Sequence, residues 1–337
     1  MRGTAWPPRS GAARRPHFRS VARYLLHGPC GRAGSGGTSR RREGGLGKLG
    51  VLSTDRPLVW MLPLVAMLIA FTIVPLVYNV WLSFHEYAPF RRELEYVGLD
   101  NWRTMFADER MWGALGVTAV YFVVVLSVEV VLGMAIALLL DADEPGFGLL
   151  RTVLTLTLVV PPAIVGMMYL LMQDPEFGVI TYALDTLGIL DKATPILSTA
   201  STALWGVMLA DVWQWTPFMV LIFLAGLRSL PSEPYEAAML DGASGFMTFR
   251  RITLPLLRKV IAVAVLIRGI DIFRMFDYVF VMTSGGPGTA TYTLSLYSWQ
   301  QTFSFVKWGY GATLSLFTLL IILVVANLFI YVARVRW

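Results

Sequence analysis

Four ionisable residues recur at intervals of three in the apolar stretch IAVAVLIRGIDIFRMFDYVFVM (261–282): Arg268, Asp271, Arg274 and Asp277. A charge inside a bilayer costs several kcal/mol unless it is paired or wetted, so their presence calls for an explanation. Residues three apart are neighbours on a helix, which makes Arg268 with Asp271 and Arg274 with Asp277 candidate ion pairs. Each step of three falls about 60° short of a full turn. On an unbroken helix Arg268 and Asp277 therefore face opposite sides, and all four cannot line one pore. Two readings are open: salt bridges that hold this helix to its neighbours, or groups bordering a wet path near mid-membrane, where Asp271 sits.

A second set precedes Pro217. Asp211, Trp213, Gln214 and Trp215 combine polar groups with aromatic faces next to an expected helix distortion. Hydrogen bonds to hydroxyls and stacking on apolar ring faces are what hold a sugar, so this composition suits a carbohydrate path; Trp is also common at membrane interfaces. Glu129 is the lone acid of its stretch and is expected to pair with a basic residue or an amide of another helix. The single Cys30 removes any disulfide framework or Cys-based zinc cage, and His17, His27 and His85 do not cluster. No metal site or bound cofactor is expected. No nucleophile, metal set or paired catalytic carboxylates can be assembled, which argues against a membrane enzyme.

These residues must be positioned by membrane helices. The 337 residues are 56% hydrophobic and 15% charged, with a mean hydropathy of +0.61, against roughly 25% charged in an average soluble domain. About 20 apolar residues cross the hydrocarbon core, and six stretches qualify: approximately 58–84, 113–140, 153–173, 203–227, 260–282 and 308–333. The expected class is all-α and polytopic. Residues 1–50, rich in Gly, Arg, Ala, Ser and Pro, lack an apolar period and read as a disordered basic tail ahead of a membrane domain over 51–337. No apolar core with a cleavage site follows its arginines, so it is no signal peptide.

Orientation follows from the Lys/Arg bias. With the N-terminus in the cytoplasm, Arg40, Arg41, Arg42, Lys48, Arg56, Arg151, Arg228, Arg250, Arg251, Arg258, Lys259, Arg334 and Arg336 lie inside. Arg91, Arg92, Arg103, Arg110, Lys192 and Lys307 lie outside. The excess supports two cytoplasmic termini, and topology rather than nucleic-acid binding accounts for the net charge of +6. The segments 85–112 and 174–202 are then outer loops with room for small helices only. No internal repeat is visible, which weakens an inverted-repeat secondary transporter.

The inner loop, about 228–257, includes EAAMLDGASGFMTFRRITLPLL (236–257). A short helix is expected from Ser232 as N-cap, with Glu233 and Pro234 in its first turn and Gly242 as the turn that ends it. Phe246, Phe249 and Ile252 then share a helical face, Arg250 and Arg251 point elsewhere, and Pro255 suits the first turn of the next span. From physics alone this is either an interfacial linker or a docking element, in which small residues admit another backbone and charges set its orientation.

The spacing of Glu236-Ala237-Ala238, Asp241-Gly242 and Ile252-Thr253-Leu254-Pro255 resembles the EAA motif of membrane subunits of binding-protein-dependent ABC importers. VGLDNWRTMF (97–106), VWQWTPFMVLIFLAGL (212–227), FRMFDYVFVMTSGGPGTAT (273–291) and WGYGATLS (308–315) resemble the carbohydrate branch of that family, similar to maltose, trehalose and glycerol-3-phosphate permeases. The resemblance covers about residues 57–337. It implies a type I importer permease fold in a bacterial or archaeal cytoplasmic membrane and a coupling helix from Glu236 to Gly242. The implied partners are a second permease, two ATPase subunits that use ATP and Mg, and an extracytoplasmic sugar-binding protein docking near 284–291. The chain has no motor of its own: GGLGKLG (44–50) lacks the spacing and the Ser/Thr of a phosphate-binding loop. A permease for a polyamine or phosphate, and an ion-driven carrier using the charged stretch as a relay, are the alternatives.

Overall fold

A computed structural model describes residues 57–333 apart from 89, 90, 92, 143–145 and 191–193. The basic tail, with Cys30, His17 and His27, lies outside the described residues, as do Arg92, Lys192, Arg334, Arg336 and the other inner cations up to Arg56. The chain divides into two units, Met1–Leu62 and Pro63–Trp337. Among the described residues, the first contributes only the start of one helix, and every other element belongs to the second.

The described residues begin with α1 (Pro57–Leu68), a π-helical stretch over Ile69–Ile73 and α2 (Val74–Leu82). A hairpin of β1 (His85–Ala88) and β2 (Glu93–Tyr96) comes after them, antiparallel with His85 opposite Tyr96. It is an addition to the expected all-α class. Next come α3 (Asp100–Ala107) and the 33-residue α4 (Glu109–Asp141), then α5 (Phe147–Thr157), α6 (Pro162–Met172), α7 (Val179–Thr186) and α8 (Ala203–Arg228). After these lie α9 (Glu233–Leu240), α10 (Gly245–Thr248), a π stretch over Phe249–Thr253 and α11 (Leu254–Phe273). The last described elements are α12 (Asp277–Met282), α13 (Leu294–Trp299), a third π stretch over Gln300–Ser304 and α14 (Trp308–Ala333).

Four of the six expected spans are helices long and apolar enough to cross a membrane: Trp60–Leu82, Glu109–Asp141, Ala203–Arg228 and Trp308–Val332. The other two are broken. In place of a straight span over 153–173, α5 and α6 meet at 97°. Pro161 has no N–H to donate and pushes Val160 out of helical geometry, while Pro162 starts α6 at its first position. In place of one helix over 260–282, α11 stops at Phe273. Arg274 and Met275 turn back onto the carbonyls of Asp271 and Ile272, at 3.2 and 3.0 Å, before α12 starts with Asp277 in its first turn.

Proline also explains two of the three π stretches. Pro75 and Pro255 sit two residues beyond Ile73 and Thr253, inside otherwise continuous helical runs. A helical proline clashes with the carbonyl four residues earlier, and widening that turn relieves the clash. Pro255 lies in the first turn of α11, as expected, although the helical run continues back through the π stretch to Gly245. Pro217, by contrast, is carried inside α8 without a break in the helix.

The packing centre is the pair α4 and α8, with α11 against both. A Cβ at Gly133 on α4 would stand 2.6 Å from Met219 Cβ on α8, so only glycine permits this approach. One apolar cluster gathers Tyr121, Val125, Tyr169, Val207 and Tyr278, and a second Met134, Met219, Phe223 and Leu257.

Candidate functional site

Arg268, on α11, is 1% exposed and is held from two other helices. Its Nε and Nη2 donate to Glu129 Oε2 and Oε1, both at 2.8 Å, the two-pronged geometry that a guanidinium offers a carboxylate. Nη2 also donates to Asp211 Oδ1. The second Asp211 oxygen accepts from Tyr121 Oη at 2.9 Å. Both carboxylates are 0% exposed. α4 thus supplies Glu129 and Tyr121, α8 supplies Asp211, and Arg268 joins them. The sequence pairing of Arg268 with Asp271 is corrected: Asp271 instead accepts from Arg274 Nη2 at 2.8 Å, and Arg274 is not paired with Asp277.

The network continues along α8. The Arg268 guanidinium lies over the Trp215 ring, 4.9 Å from its centroid. Trp215 Nε1 donates to Tyr278 Oη at 3.2 Å, and Tyr278 Oη donates to Gln214 Oε1. Gln214 Nε2 then donates to the Val160 carbonyl at 2.6 Å. That carbonyl is freed by the α5–α6 break, since Pro161 and Pro162 interrupt the helix after it. The break in one span is thereby tied to the charged centre of another.

Beside this cluster opens a cleft of ≈ 430 Å³, lined by Pro162, Trp215, Arg268, Asp271, Arg274, Met275, Phe276, Asp277 and Tyr278. All four charged residues of the 261–282 stretch border it, against the sequence expectation that they cannot share one pore. The reason is the break at Arg274–Phe276: the 100° per residue rule does not carry across it, so Asp277 returns to the side of Asp271. Within the cleft, Asp271 and Arg274 retain 34% and 65% of their side-chain exposure, so their pair is wet and exchangeable, while Arg268 is locked. The wall alternates carboxylates, guanidinia and aromatic faces, a set that can accept from and donate to hydroxyls while stacking on a ring.

Trp213 does not join it. Its indole is 41% exposed and packs on Tyr169 with ring centroids 5.8 Å apart, on the other side of α8. Tyr121 and Tyr278 are site residues that sequence reasoning missed. The one signal available was a tyrosine within helical reach of the charged positions.

The loop after α8 is a separate region. α9 begins after Ser232, whose side chain makes no capping bond. It ends at Gly242 with φ +67°. Ala243 N–H donates to Ala238 O at 2.9 Å and Gly242 N–H to Met239 O at 3.1 Å. This is the Schellman arrangement, whose left-handed residue favours glycine. Tyr235 Oη donates to Thr253 Oγ1 at 3.1 Å, fixing α9 to the start of the long helical run. Ala237, Ala238, Asp241, Gly242 and Ile252 line one groove of ≈ 450 Å³; Glu236 and Pro255 are exposed outside it. Met239, Leu240 and Phe246 are 72%, 90% and 73% exposed, while Phe249 packs into the second apolar cluster. Phe246 therefore does not pack with Phe249.

At the far end of α4, Asp108 caps the helix by accepting from Arg110 N–H at 3.0 Å. It also accepts from Tyr310 Oη at 2.6 Å and from Tyr297 Oη. Burial pushes this carboxyl up, but the two tyrosine hydroxyls and the Arg110 and Met111 amides outweigh it and hold it below 3.8.

Comparison with known proteins agrees with this architecture. Residues 129–336 match the family described as binding-protein-dependent transport system inner membrane component. A trehalose/maltose transport system permease protein, MalF, of Thermococcus litoralis is 36% identical over 278 residues, 82% of this chain and 92% of the relative. The trehalose transport system permease protein SugA of Mycobacterium tuberculosis is 30% identical over 286 residues, 84% of this chain and 91% of its own. A solved chain of a bacterial ABC transporter involved in the import of the acidic polysaccharide alginate superposes with a TM-score of 0.72. That match covers 82% of this chain and 94% of the other at 20% identity, a likeness of fold. With its matched residues running from Glu129 through the charged cleft and the α9 loop to α14, the chain belongs to the binding-protein-dependent transport system inner membrane components, with the fold of a type I ABC-importer permease.

Proposed function

We propose that this chain moves a carbohydrate across the cytoplasmic membrane by alternating access, as one of two permeases in an ATP-driven importer. The observation that carries the substrate class is the cleft at the α11–α12 break, where Asp271, Arg274 and Asp277 stand beside Trp215, Phe276 and Tyr278. Relatives named for trehalose and maltose transport support the same class.

The α9 loop is the coupling element. Glu236, Ala237, Ala238, Asp241 and Gly242 offer a short capped helix, and Met239 and Leu240 offer apolar side chains that none of the described residues covers. Two partner ATPase subunits, using ATP and Mg, receive this helix and its counterpart on the second permease. Closure of the ATPase pair is passed through Tyr235–Thr253 into α11, which carries Arg268 and Asp271 at its far end. An extracytoplasmic binding protein delivers the sugar to the end of the bundle that holds Asp108. Both termini are cytoplasmic, in keeping with the run of Arg250, Arg251, Arg258 and Lys259 on the same side.

The test is uptake of labelled trehalose and maltose into proteoliposomes holding the permease pair, ATPases and binding protein. ATP-dependent uptake lost in Asp271→Asn but retained in Trp213→Phe supports the cleft. Uptake of a polyamine or phosphate and of neither sugar sinks the carbohydrate reading.

A further inference from the structure

A second polar cavity lies well away from the charged cleft, at the end of α4 that Asp108 caps. It encloses ≈ 320 Å³ between β1, α3, the start of α4, the helix after α13 and the start of α14, and its wall includes Glu86, Thr104, Arg110, Gln301 and Lys307. This is within the size range of small-molecule sites.

Gln301 carries the argument. The residue is 6% exposed, yet its side-chain amide makes no hydrogen bond among the described residues, and its atoms reach the cavity. The amide opens onto the cavity, so the cavity offers an entering ligand both a donor and an acceptor that no protein group engages among the described residues. Glu86, half-buried on β1, likewise has no hydrogen-bond partner among the described residues.

The charges decide what satisfies them. Glu86 and Asp108 are balanced by Arg110 and Lys307. Asp108 is already engaged by Tyr297, Tyr310 and the Arg110 amide. A free anion meets Glu86, a free cation meets Arg110 and Lys307, and an apolar group leaves Gln301 unmet. A neutral ring bearing several hydroxyls can donate to Glu86 and Gln301 Oε1 and accept from Gln301 Nε2, Lys307 and Arg110. Building on the carbohydrate reading above, we infer that this cavity is a second sugar subsite, holding a neutral hexose unit on the face opposite the coupling loop.

The experiment titrates trehalose onto the complete permease–ATPase assembly in nanodiscs without binding protein, followed by saturation-transfer NMR. Two binding components are expected. Gln301→Leu, and Thr104→Trp, which fills the cavity from an exposed position, weaken one about tenfold, the equivalent of one buried hydrogen bond at about 1.4 kcal/mol. Asp271→Asn weakens only the other. A single component removed by Asp271→Asn and indifferent to Thr104→Trp overturns the subsite and leaves the carbohydrate reading standing. No trehalose or maltose component in any protein overturns both. Protection of Thr104→Cys from a maleimide by sugar-free binding protein, with no effect of trehalose, overturns the subsite in favour of a protein socket.

Discussion

The Arg268 cluster and the α9 loop use similar residue types to opposite ends. In the cluster, all four carboxylate oxygens are engaged within the chain: Glu129 takes two bonds, Asp211 takes one from Arg268 and one from Tyr121, and the guanidinium stacks on Trp215. In the loop, Glu236 and Asp241 are exposed without a bonded partner among the described residues, and Leu240 is 90% exposed. The first is a finished internal joint between three helices. The second is half of a joint. An unpaired charge in the bilayer is costly, whereas an unpaired surface is a place for another protein.

Breaking the cluster gives the largest expected effect. Arg268→Ala leaves two carboxylates buried without their cation, a loss of about 3–5 kcal/mol, read as collapse of the detergent-purified protein's melting temperature. Arg268→Met combined with Glu129→Gln and Asp211→Asn removes the charges together and recovers most of it. If the single and triple variants melt alike, the cluster is not a charge-balanced joint.

Breaking the loop has the converse signature. Glu236→Lys reduces ATP-driven uptake by an order of magnitude or more with membrane levels and melting temperature unchanged, and Gly242→Pro reduces it as far while also breaking the cap at the end of α9. Proline cannot adopt the φ of +67° at position 242. Normal uptake by both variants removes the coupling assignment. Tyr121→Phe sharpens the cluster side, since it deletes a single hydrogen bond to a carboxylate, worth about 1.5–3 kcal/mol at most, and is measured by the same melt.

The smallest effect is at Asp108, a partner-rich carboxylate outside the spans. Its folded pKa lies below its ordinary 3.8. The stability it adds is therefore fully present above the unfolded value and is lost as pH falls through the folded one. Wild type should lose melting temperature more steeply than Asp108→Asn as the pH drops from 5 to below 3.8. Parallel curves contradict the tyrosine clamp.

Much of this was legible in the chain. The apolar stretches gave four unbroken spans, and the spacing of Ser232, Ala237 and Gly242 gave the short helix and its glycine stop. Two things were not legible, and both involve breaks. Helical phase assumes a continuous helix, so the separation of Asp277 from the cleft failed once the chain left helix at Arg274, while the pairing of Arg268 with Asp271 failed because Glu129 and Asp211 on other helices take the guanidinium. The Pro161–Pro162 pair is a local signal that a count of apolar residues over 153–173 overrides. Pro217 shows the reverse, a proline carried by tertiary packing without a break. Long-range partners such as Tyr121 for Asp211, 90 residues apart, leave no mark in local pattern.

The most direct test of the central contrast is cysteine labelling in a Cys30→Ser background. Met239→Cys and Leu240→Cys should react readily with a water-soluble maleimide in the permease alone and become protected when the ATPase subunits are added. Tyr121→Cys, 1% exposed at the native residue, should stay unreactive throughout. Equal labelling of positions 239 and 240 with and without the ATPases would contradict the assignment of the α9 loop as half of a joint.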